Sequence, residues 1–321
     1  MKNLPIVTIA IPLRNREWCI ERVLEAIIRD EYPKKRTRFV FVDDSTDKTF
    51  ELLLNFKHKY AEQYAEIVVL RQSSNIPQGR NICIDHSINS DFILFLDSDV
   101  VVQGTNTIRR LLEPFVDESV GMVFIPYLFF DNIALHEKIW ALKEKPIQYA
   151  QECGMGLTMI RHSIIPQVGM FDESYFTAED LEFSSRVIEK GYKIIKLSED
   201  PAEHLQVKPH NYFHSLLLKM TPLRWRSIKK TKPKRYILRL IAYSLLIVNA
   251  FLVPFFLPWS LIPFLVLLGM LYAFHFIRMR TFFGRLVGPP FFILSGIVFA
   301  VGIYRAMLID LKDQIIKKDV S

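Results

Sequence analysis

Residues 92–102 read FILFLDSDVVV, an apolar run that ends in two acidic residues, Asp97 and Asp99. A run that is apolar on both faces is typical of a strand in the middle of a parallel sheet. Ligands of open α/β sheets bind beyond the carboxyl ends of such strands, and two carboxylates stay ionised there only beside a cation. The pattern therefore predicts Mg²⁺ or Mn²⁺ holding a diphosphate. The alternative is an exposed loop, where Asp and Ser are common.

The first 130 residues alternate strand patterns with helix patterns. Strands are predicted at residues 7–13, 39–42, 67–70 and 92–96, and helices at residues 17–28, 48–60 and 78–87. Alternation of this kind predicts an α/β fold whose mostly parallel, Rossmann-like sheet is doubly wound by right-handed crossovers. We expect this catalytic domain to span residues 1–210.

Charge divides the chain near residue 224. Residues 224–321 hold 15 Lys and Arg against 3 Asp and Glu, whereas residues 1–223 hold 26 against 31. Basic residues that flank apolar spans are typical of contact with anionic lipid headgroups. The balance predicts membrane lipids as partners and argues against nucleic acid.

The carboxyl-terminal part contains three apolar stretches, at residues 236–257, 259–277 and 287–309. Each is close to the ~20 residues that cross a bilayer, so we expect a helical membrane domain at residues 236–321 with about three transmembrane helices. Residues 287–309 could instead be re-entrant. The positive-inside rule places residues 226–235 and 278–285 in the cytoplasm, which predicts a multi-pass protein of the cell membrane with a cytoplasmic catalytic domain.

Two further features are the segment before the membrane domain and the cysteines. Residues 211–235 carry apolar positions beside many basic ones, which suits an amphipathic segment in the membrane interface or a helix packed on the catalytic domain. The three cysteines, at positions 19, 83 and 153, are odd in number and form no CxxC pair. They indicate neither a disulfide framework nor a zinc site, as is typical of a cytoplasmic domain.

Several polar segments besides the acidic pair suit a nucleotide-binding cleft. Asp43 and Asp44 follow a predicted strand and could accept hydrogen bonds from a base or ribose, although Asp44 could also cap the next helix. Gly79 and Arg80 lie where a phosphate could approach, but Arg80 could equally be a surface charge. Gly154 and Gly156 permit close approach of the backbone to a ligand, or form a plain turn.

Glu179 and Asp180 open a predicted helix. The helix dipole favours carboxylates in a first turn, which is a purely structural explanation. The functional hypothesis is a general base.

These motifs occur in a known order. Val42-Asp43-Asp44, Asp97-Ser98-Asp99, Ala178-Glu179-Asp180 and Thr221-Pro222-Leu223-Arg224-Trp225 together resemble the D, DxD, TED and QxxRW series of membrane-bound family 2 glycosyltransferases. The resemblance is to the cellulose-synthase-like and polyprenyl-phosphate glycosyltransferase group and covers residues 5–226. It implies a GT-A fold, a nucleotide-sugar donor, Mn²⁺ or Mg²⁺ as cofactor, and inversion at the anomeric carbon.

The resemblance also implies roles for single residues. Asp180 would be the catalytic base, and Asp97 and Asp99 would form the donor and metal site. The resemblance implies donor binding by Asp43 and Asp97, and we expect Pro12, Arg14, Asp44, Gly79, Arg80 and Ser98 to join them. It implies acceptor and diphosphate contacts for Arg224 and Trp225, and we expect Gly154, Gly156 and Glu179 to join these.

The chain departs from the family pattern at three positions. Ala178 replaces Thr, and Thr221 replaces the Gln that grips a polymer in processive members. Val101 stands where polyprenyl-phosphate mannose synthases carry a metal-binding Gln, so the third metal ligand is open. His204 is the candidate, since related enzymes have a His after the base-bearing helix, although a lone His is more often structural.

Together the features predict inverting, metal-dependent transfer of a hexose to a membrane lipid acceptor, such as dolichyl or polyprenyl phosphate or a glycan linked to it. GDP-mannose is favoured over a UDP-hexose as donor. The metal with Arg80 or Arg224 would neutralise the leaving diphosphate. A phosphate acceptor is already an anion and needs no base. A base at Asp180 therefore favours an acceptor that attacks through a hydroxyl group.

Three alternatives stay open. The first is a polysaccharide synthase of the cellulose-synthase type. The second is a haloacid-dehalogenase-like phosphatase, because residues 97–101 also satisfy its DxDxV pattern with a nucleophilic Asp97. The third is an inactive nucleotide-sugar-binding membrane protein. A homo-oligomer is compatible with each of them.

Overall fold

The computed structural model describes residues 4–128, 153–175, 179–197, 202–205, 217, 221, 225, 234–252, 261–277 and 282–319. The chain forms two compact units. The first comprises Met1–Asp131 and Pro146–Val207, and the second comprises Asn132–Lys145 and Lys208–Ser321.

The first unit is built on a seven-stranded sheet. The strands are β1 (Val7–Leu13), β2 (Thr37–Asp43), β3 (Glu66–Arg71), β4 (Phe92–Leu96), β5 (Val100–Val101), β6 (Val120–Phe124), β7 (Tyr127–Leu128), β8 (Leu157–Arg161), β9 (Lys193–Lys196) and β10 (Ala202–His204). The main sheet has the order β3-β2-β1-β4-β8-β6-β9, and β8 is antiparallel to both its neighbours while the other pairs are parallel. A small second sheet has the order β5-β10-β7.

Helices cover the main sheet. They are α1 (Ile20–Ile27), α2 (Thr49–Tyr60), α3 (Ile76–Asp85), α4 (Thr107–Leu112), α5 (Ile165–Val168) and α6 (Glu179–Glu189). The predicted Rossmann-like, mostly parallel α/β architecture is confirmed. The third helix starts two residues before the predicted position because Asn75 and Gln78 form a reciprocal capping box around its first turn.

The sheet separates two apolar layers. Successive residues of β4 point to opposite faces, so that Phe92, Leu94 and Leu96 join one cluster of buried side chains while Ile93 and Phe95 join the other. All five residues of β4 are buried. The acidic residues that follow this strand therefore start from a rigid, central position.

The second unit contains three described helices, α7 (Lys234–Leu252), α8 (Leu261–Phe276) and α9 (Phe282–Asp319). Gly296 packs directly on a ring of α7, since a Cβ atom added to it would lie 2.0 Å from Cζ of Tyr243. The third apolar stretch of the sequence lies within the continuous helix α9, which includes Pro289 and Pro290.

The prediction of about three transmembrane helices stays a prediction, because residues 253–260 and 278–281 lie outside the described part of the chain. Among the described residues, one helical segment, Arg285–Lys312, is long and apolar enough to cross a membrane by length and composition. The same search finds two shorter apolar helical segments among the described residues, Leu240–Ala250 in α7 and Leu261–Phe276 in α8. Most of the predicted interface segment 211–235 lies outside the described residues.

Candidate active site

Three neighbouring parallel strands end at the same edge of the main sheet. In the order β2-β1-β4, they bring Asp43, Leu13 and the segment after Leu96 side by side. The site lies at this edge because β1 and β4, adjacent in space but distant in sequence, lead their chains out in the same direction.

The acidic pair faces two different environments. Asp97 has a side chain that is 35% exposed, and its Oδ1 lies 3.5 Å from Nη2 of Arg80. Burial raises the pKa of Asp97, and the Arg80 guanidinium opposes that rise. Asp99 is less exposed, at 17%, with Oδ2 3.3 Å from Nη2 of Arg16 and Oδ1 3.6 Å from Nε2 of His204.

A short strand holds His204 beside Asp99. In the small sheet His204 lies opposite Val100 of β5, and the N–H of Leu205 donates to the carbonyl of Asp99 at 2.8 Å. Glu203 is anchored by two hydrogen bonds from Nη2 of Arg22, at 2.9 and 2.7 Å. The structure therefore brings the predicted His204 to the predicted Asp99 across more than 100 residues of sequence.

The predicted metal ligands Asp97, Asp99 and His204 have different neighbours. Within the described ranges, no group of three or more His, Cys, Asp or Glu side chains could hold a metal ion. Arg80 lies 3.5 Å from Asp97 and Arg16 lies 3.3 Å from Asp99, and the pair of Asp99 and His204, 3.6 Å apart, could hold a metal ion. A carboxylate oxygen and an imidazole nitrogen fit a divalent ion whose remaining ligands come from diphosphate and water.

Asp180 occupies the first turn of α6 and is partly buried. Burial and the neighbouring charge of Glu179 raise the pKa of Asp180 to about 6, although Arg80 acts in the opposite direction. The N–H of Leu181 donates to its Oδ1 at 2.8 Å and fixes the carboxylate. A pKa near neutrality suits a group that accepts and releases a proton.

Arg80 links the acidic strand end to the helix that bears Asp180. Its side chain is 6% exposed, with Nη1 2.5 Å from Oε1 of Glu179 and Nη2 3.5 Å from Oδ1 of Asp97. Its guanidinium also lies 5.6 Å from the ring centre of Phe171. Arg80 is therefore a buried connecting residue, and the surface-charge alternative is wrong.

The glycine segment connects the same two carboxylates. The N–H of Asp97 donates to the carbonyl of Gly156 at 2.9 Å, and a Cβ atom at Gly154 would lie 3.7 Å from Oδ2 of Asp180. Two residues of extended chain span at most about 7 Å. Asp97 and Asp180 therefore belong to one cleft.

Gly79 has a packing function. A Cβ atom there would lie 2.9 Å from Cβ of Pro12, so glycine lets α3 approach the end of β1. The contact joins two predicted donor-binding residues, Gly79 and Pro12, through packing.

The second acidic strand end has one buried and one accessible carboxylate. Asp43 is fully buried, and its Oδ1 accepts a hydrogen bond from Ser45 while Oδ2 has no partner in the part of the chain that the structure describes. Burial raises the pKa of Asp43. Asp44 is partly exposed and lies 3.3 Å from Nη1 of Arg14.

Two predicted acceptor residues, Arg224 and Trp225, belong to the second unit. Trp225 packs there against the buried pair Phe299 and Ile303. Arg224 lies outside the described residues.

Sequence reasoning missed Arg16 and Asn15. Asn15 adopts a left-handed backbone conformation with φ 54°, its N–H donates to Oγ of Ser45 at 2.8 Å, and its Oδ1 accepts from the N–H of Thr46 at 2.8 Å. The available signal was an Asn between two arginines directly after a buried strand, since Asn tolerates this conformation better than most residues.

Comparison with known proteins agrees with this geometry. Residues 8–168 match the family described as Glycosyl transferase family 2. The solved mannosyltransferase PcManGT from Pyrobaculum calidifontis, in complex with GDP-Man and Mn²⁺, aligns over 97% of this chain and 88% of its own, with a TM-score of 0.62 and 16% identity. This likeness concerns the fold.

Two curated relatives are also similar. The probable glycosyltransferase YdaM of Bacillus subtilis is 27% identical over 60% of this chain and 49% of its own length. A dolichyl N-acetyl-alpha-D-glucosaminyl phosphate 3-beta-D-2,3-diacetamido-2,3-dideoxy-beta-D-glucuronosyltransferase of Methanococcus voltae is 24% identical over 59% of this chain and 63% of its length. The match thus spans about half the length of the Bacillus relative.

The match over residues 8–168 covers half of the 321 residues, and the chain belongs to glycosyl transferase family 2. The predicted GT-A fold and the predicted class of enzyme, a glycosyltransferase, are confirmed.

Proposed function

We propose that the protein transfers a hexose from a nucleotide sugar to a lipid-linked acceptor, with inversion at the anomeric carbon. The observation that carries this proposal is the carboxylate of Asp180. Its pKa is raised to about 6, and it shares a cleft with the acidic end of β4. Such a carboxylate is ionised at neutral pH and can still accept a proton readily.

The reaction is a single displacement. Asp180 takes the proton from an acceptor hydroxyl, whose oxygen forms the new bond to the anomeric carbon as the bond to the diphosphate oxygen breaks. The nucleoside diphosphate leaves with the electron pair. Arg80 keeps Glu179 paired and lies beside Asp97, which holds the carboxylates of the cleft in place.

Asp99 and His204 are the residues that would hold Mn²⁺ or Mg²⁺. The ion would supply positive charge for the departing diphosphate. Asp44 and Arg14, accessible at the neighbouring strand end, are placed in the proposal as donor-binding residues.

The donor and the acceptor are proposed as follows. GDP-mannose is favoured over a UDP-hexose, and the crystallised relative named above was bound to GDP-Man and Mn²⁺. A base such as Asp180 favours a hydroxyl over a phosphate as the attacking group. The Methanococcus relative is named for transfer to a sugar on dolichyl phosphate. A glycan on dolichyl or polyprenyl phosphate is therefore the preferred acceptor.

Membrane association is part of the proposal. Helix α9 contains the segment Arg285–Lys312, which by length and composition could cross a bilayer, and α7 and α8 expose large apolar side chains. We propose that the second unit anchors the enzyme to the membrane that contains its acceptor, with the catalytic unit in the cytoplasm.

A donor panel tests the proposed function. The full chain, purified in detergent, is incubated with Mn²⁺, radiolabelled GDP-mannose, UDP-glucose or UDP-N-acetylglucosamine, and either dolichyl phosphate or dolichyl phosphate that carries one sugar. We expect label in the lipid phase from one donor, with the sugar-bearing acceptor preferred. Phosphate release without any nucleotide sugar would favour the phosphatase alternative, and donor binding without transfer or hydrolysis would favour an inactive binding protein.

A further inference from the structure

We propose that Arg16 is a diphosphate-binding residue that neutralises Asp99 in the metal-free protein and turns to the donor once a divalent ion is bound. The inference rests on the proposed metal and diphosphate site. It adds a residue that belongs to none of the sequence motifs described above.

Arg16 is held directly over the acidic strand end. Its Nη2 lies 3.3 Å from Oδ2 of Asp99, and its Nε donates to Oγ of the buried Ser98 at 3.1 Å. Its Nη1 donates to the carbonyl of Arg14 at 3.1 Å. All three nitrogens of the guanidinium are thus fixed at the site, while 32% of the side chain stays exposed to an incoming ligand.

The backbone of the preceding residue creates this placement. Asn15 has a left-handed conformation, and its side chain and N–H are tied to Ser45 and Thr46 of the neighbouring loop. The turn sends Arg14 to Asp44 and Arg16 to Asp99, so that the arginines on either side of Asn15 pair with the acidic ends of two different strands. Residues held in sparsely populated conformations are concentrated at functional sites.

The two oxygens of Asp99 have different neighbours. Oδ1 faces His204 and Oδ2 faces Arg16, so the carboxylate that would hold the ion is already paired with a cation. The Arg16 guanidinium and a metal ion held by the same Asp99 carboxylate would repel each other at this short distance. A bound diphosphate removes the conflict, because its negative oxygens can accept hydrogen bonds from the guanidinium while they coordinate the ion.

This arrangement predicts coupled binding. Arg16 opposes binding of the ion alone and favours binding of the ion together with a diphosphate. By linkage, the ion must then raise the affinity for the nucleotide by the same factor as the nucleotide raises the affinity for the ion.

The test compares Arg16→Gln with the wild type in the full-length protein in detergent. Binding of Mn²⁺ alone is measured from the paramagnetic resonance signal of free Mn²⁺, and binding of GDP and UDP at saturating Mn²⁺ is measured by calorimetry. We expect Arg16→Gln to bind Mn²⁺ alone about two- to fivefold more tightly, the range of a partly exposed ion pair. We expect the preferred nucleotide to bind about tenfold more weakly, as for loss of a charged hydrogen bond.

Two further variants sharpen the comparison. Arg29→Gln removes an exposed arginine just after α1 and should leave both affinities unchanged. Arg16→Lys keeps the charge and should restore part of the nucleotide affinity. Equal affinities in Arg16→Gln, Arg29→Gln and wild type would overturn the inference about Arg16 alone. A wild type that binds neither Mn²⁺ nor nucleotide would overturn the inference and the proposed function together.

Discussion

The two units of the protein differ in how far their apolar side chains are buried. In the first unit every residue of β2 and β4 is buried. In the second unit Leu238, Met270 and Leu308 are each about two thirds exposed, at 66%, 66% and 67%. Strands β2 and β4 bury their apolar residues within the first unit, whereas the described helices of the second unit leave large apolar side chains exposed, as is typical of an interaction surface.

Polar residues follow the opposite distribution. The first unit collects carboxylates and arginines at the carboxyl ends of its strands, where Asp97, Asp99 and Arg80 lie. The difference is the basis of our proposal that the first unit carries out the chemistry and the second attaches the enzyme to a membrane. Each variant below affects one unit and should leave the other unchanged.

We expect the largest effect on transfer activity from replacing Asp180, the proposed catalytic base. Asp180→Asn keeps the shape of the side chain but cannot accept the proton, so transfer should fall about 10²- to 10⁴-fold. Nucleotide affinity, measured by calorimetry, should stay unchanged. Glu189→Gln, at the exposed end of the same helix, is the matched control. Full turnover in Asp180→Asn would remove this residue from its proposed role.

The next effect is on the stability of the first unit. Arg80→Gln leaves the buried carboxylate of Glu179 without its partner, and breaking such a pair costs about 3–5 kcal/mol. We expect the urea midpoint of the first unit to fall, and Arg80→Gln with Glu179→Gln to recover part of the loss. Arg29→Gln serves as the exposed control. An Arg80→Gln variant with the same urea midpoint as the wild type would contradict the role of Arg80 as the buried partner of Glu179.

A smaller effect is expected within the second unit. Gly296→Ala places a Cβ atom 2.0 Å from Cζ of Tyr243, and overpacking of this kind costs about 1–3 kcal/mol. Gly269→Ala is the matched control, because nothing lies within 4 Å of its Cβ position among the described residues. Thermal unfolding in detergent measures the difference. Nucleotide binding should be equal in both variants, and a loss in Gly296→Ala would show that the units are not independent.

The smallest effect concerns pH. Because the pKa of Asp180 is raised to about 6, the carboxylate is ionised above this pH and loses its function as pH falls through it. We expect kcat/KM for transfer to be constant from pH 7 to 8 and to fall about tenfold for each pH unit below 6. The measurement is an initial-rate series at fixed Mn²⁺. A flat profile down to pH 5 would contradict a base with this pKa.

Most of the first unit could be predicted because its signals are local. The run from Phe92 to Leu96 is apolar at every position, and the strand occurs at these residues. The start of α3 was misplaced because Asn75 and Gln78 cap each other through side-chain hydrogen bonds, which apolar periodicity does not reveal.

The site was predictable in its acidic residues and less so in its basic ones. Asp97 and Asp99 follow a strand whose pattern is clear, but the positions of Arg16 and Arg80 depend on which loops meet in space. The proximity of His204 to Asp99 comes from pairing between β5 and β10, two very short strands. Such strands leave almost no periodicity in the sequence.

The number of membrane spans in the second unit stays a prediction. Hydropathy selected residues 236–257, and within them the structure describes the apolar helical segment Leu240–Ala250. The length of a helix depends on where its ends pack, and the packing of Gly296 on Tyr243 could not be read from composition.

The most direct test of the central claim is the affinity for nucleotide with and without a divalent ion. GDP and UDP are titrated into the wild type and into Asp99→Asn, first with Mn²⁺ and then after removal of the ion with EDTA. We predict that the preferred nucleotide binds the wild type with Mn²⁺ at least about tenfold more tightly than in the other three cases, because Asp99 would hold an ion whose positive charge favours the diphosphate. Equal affinity in all four cases would contradict it.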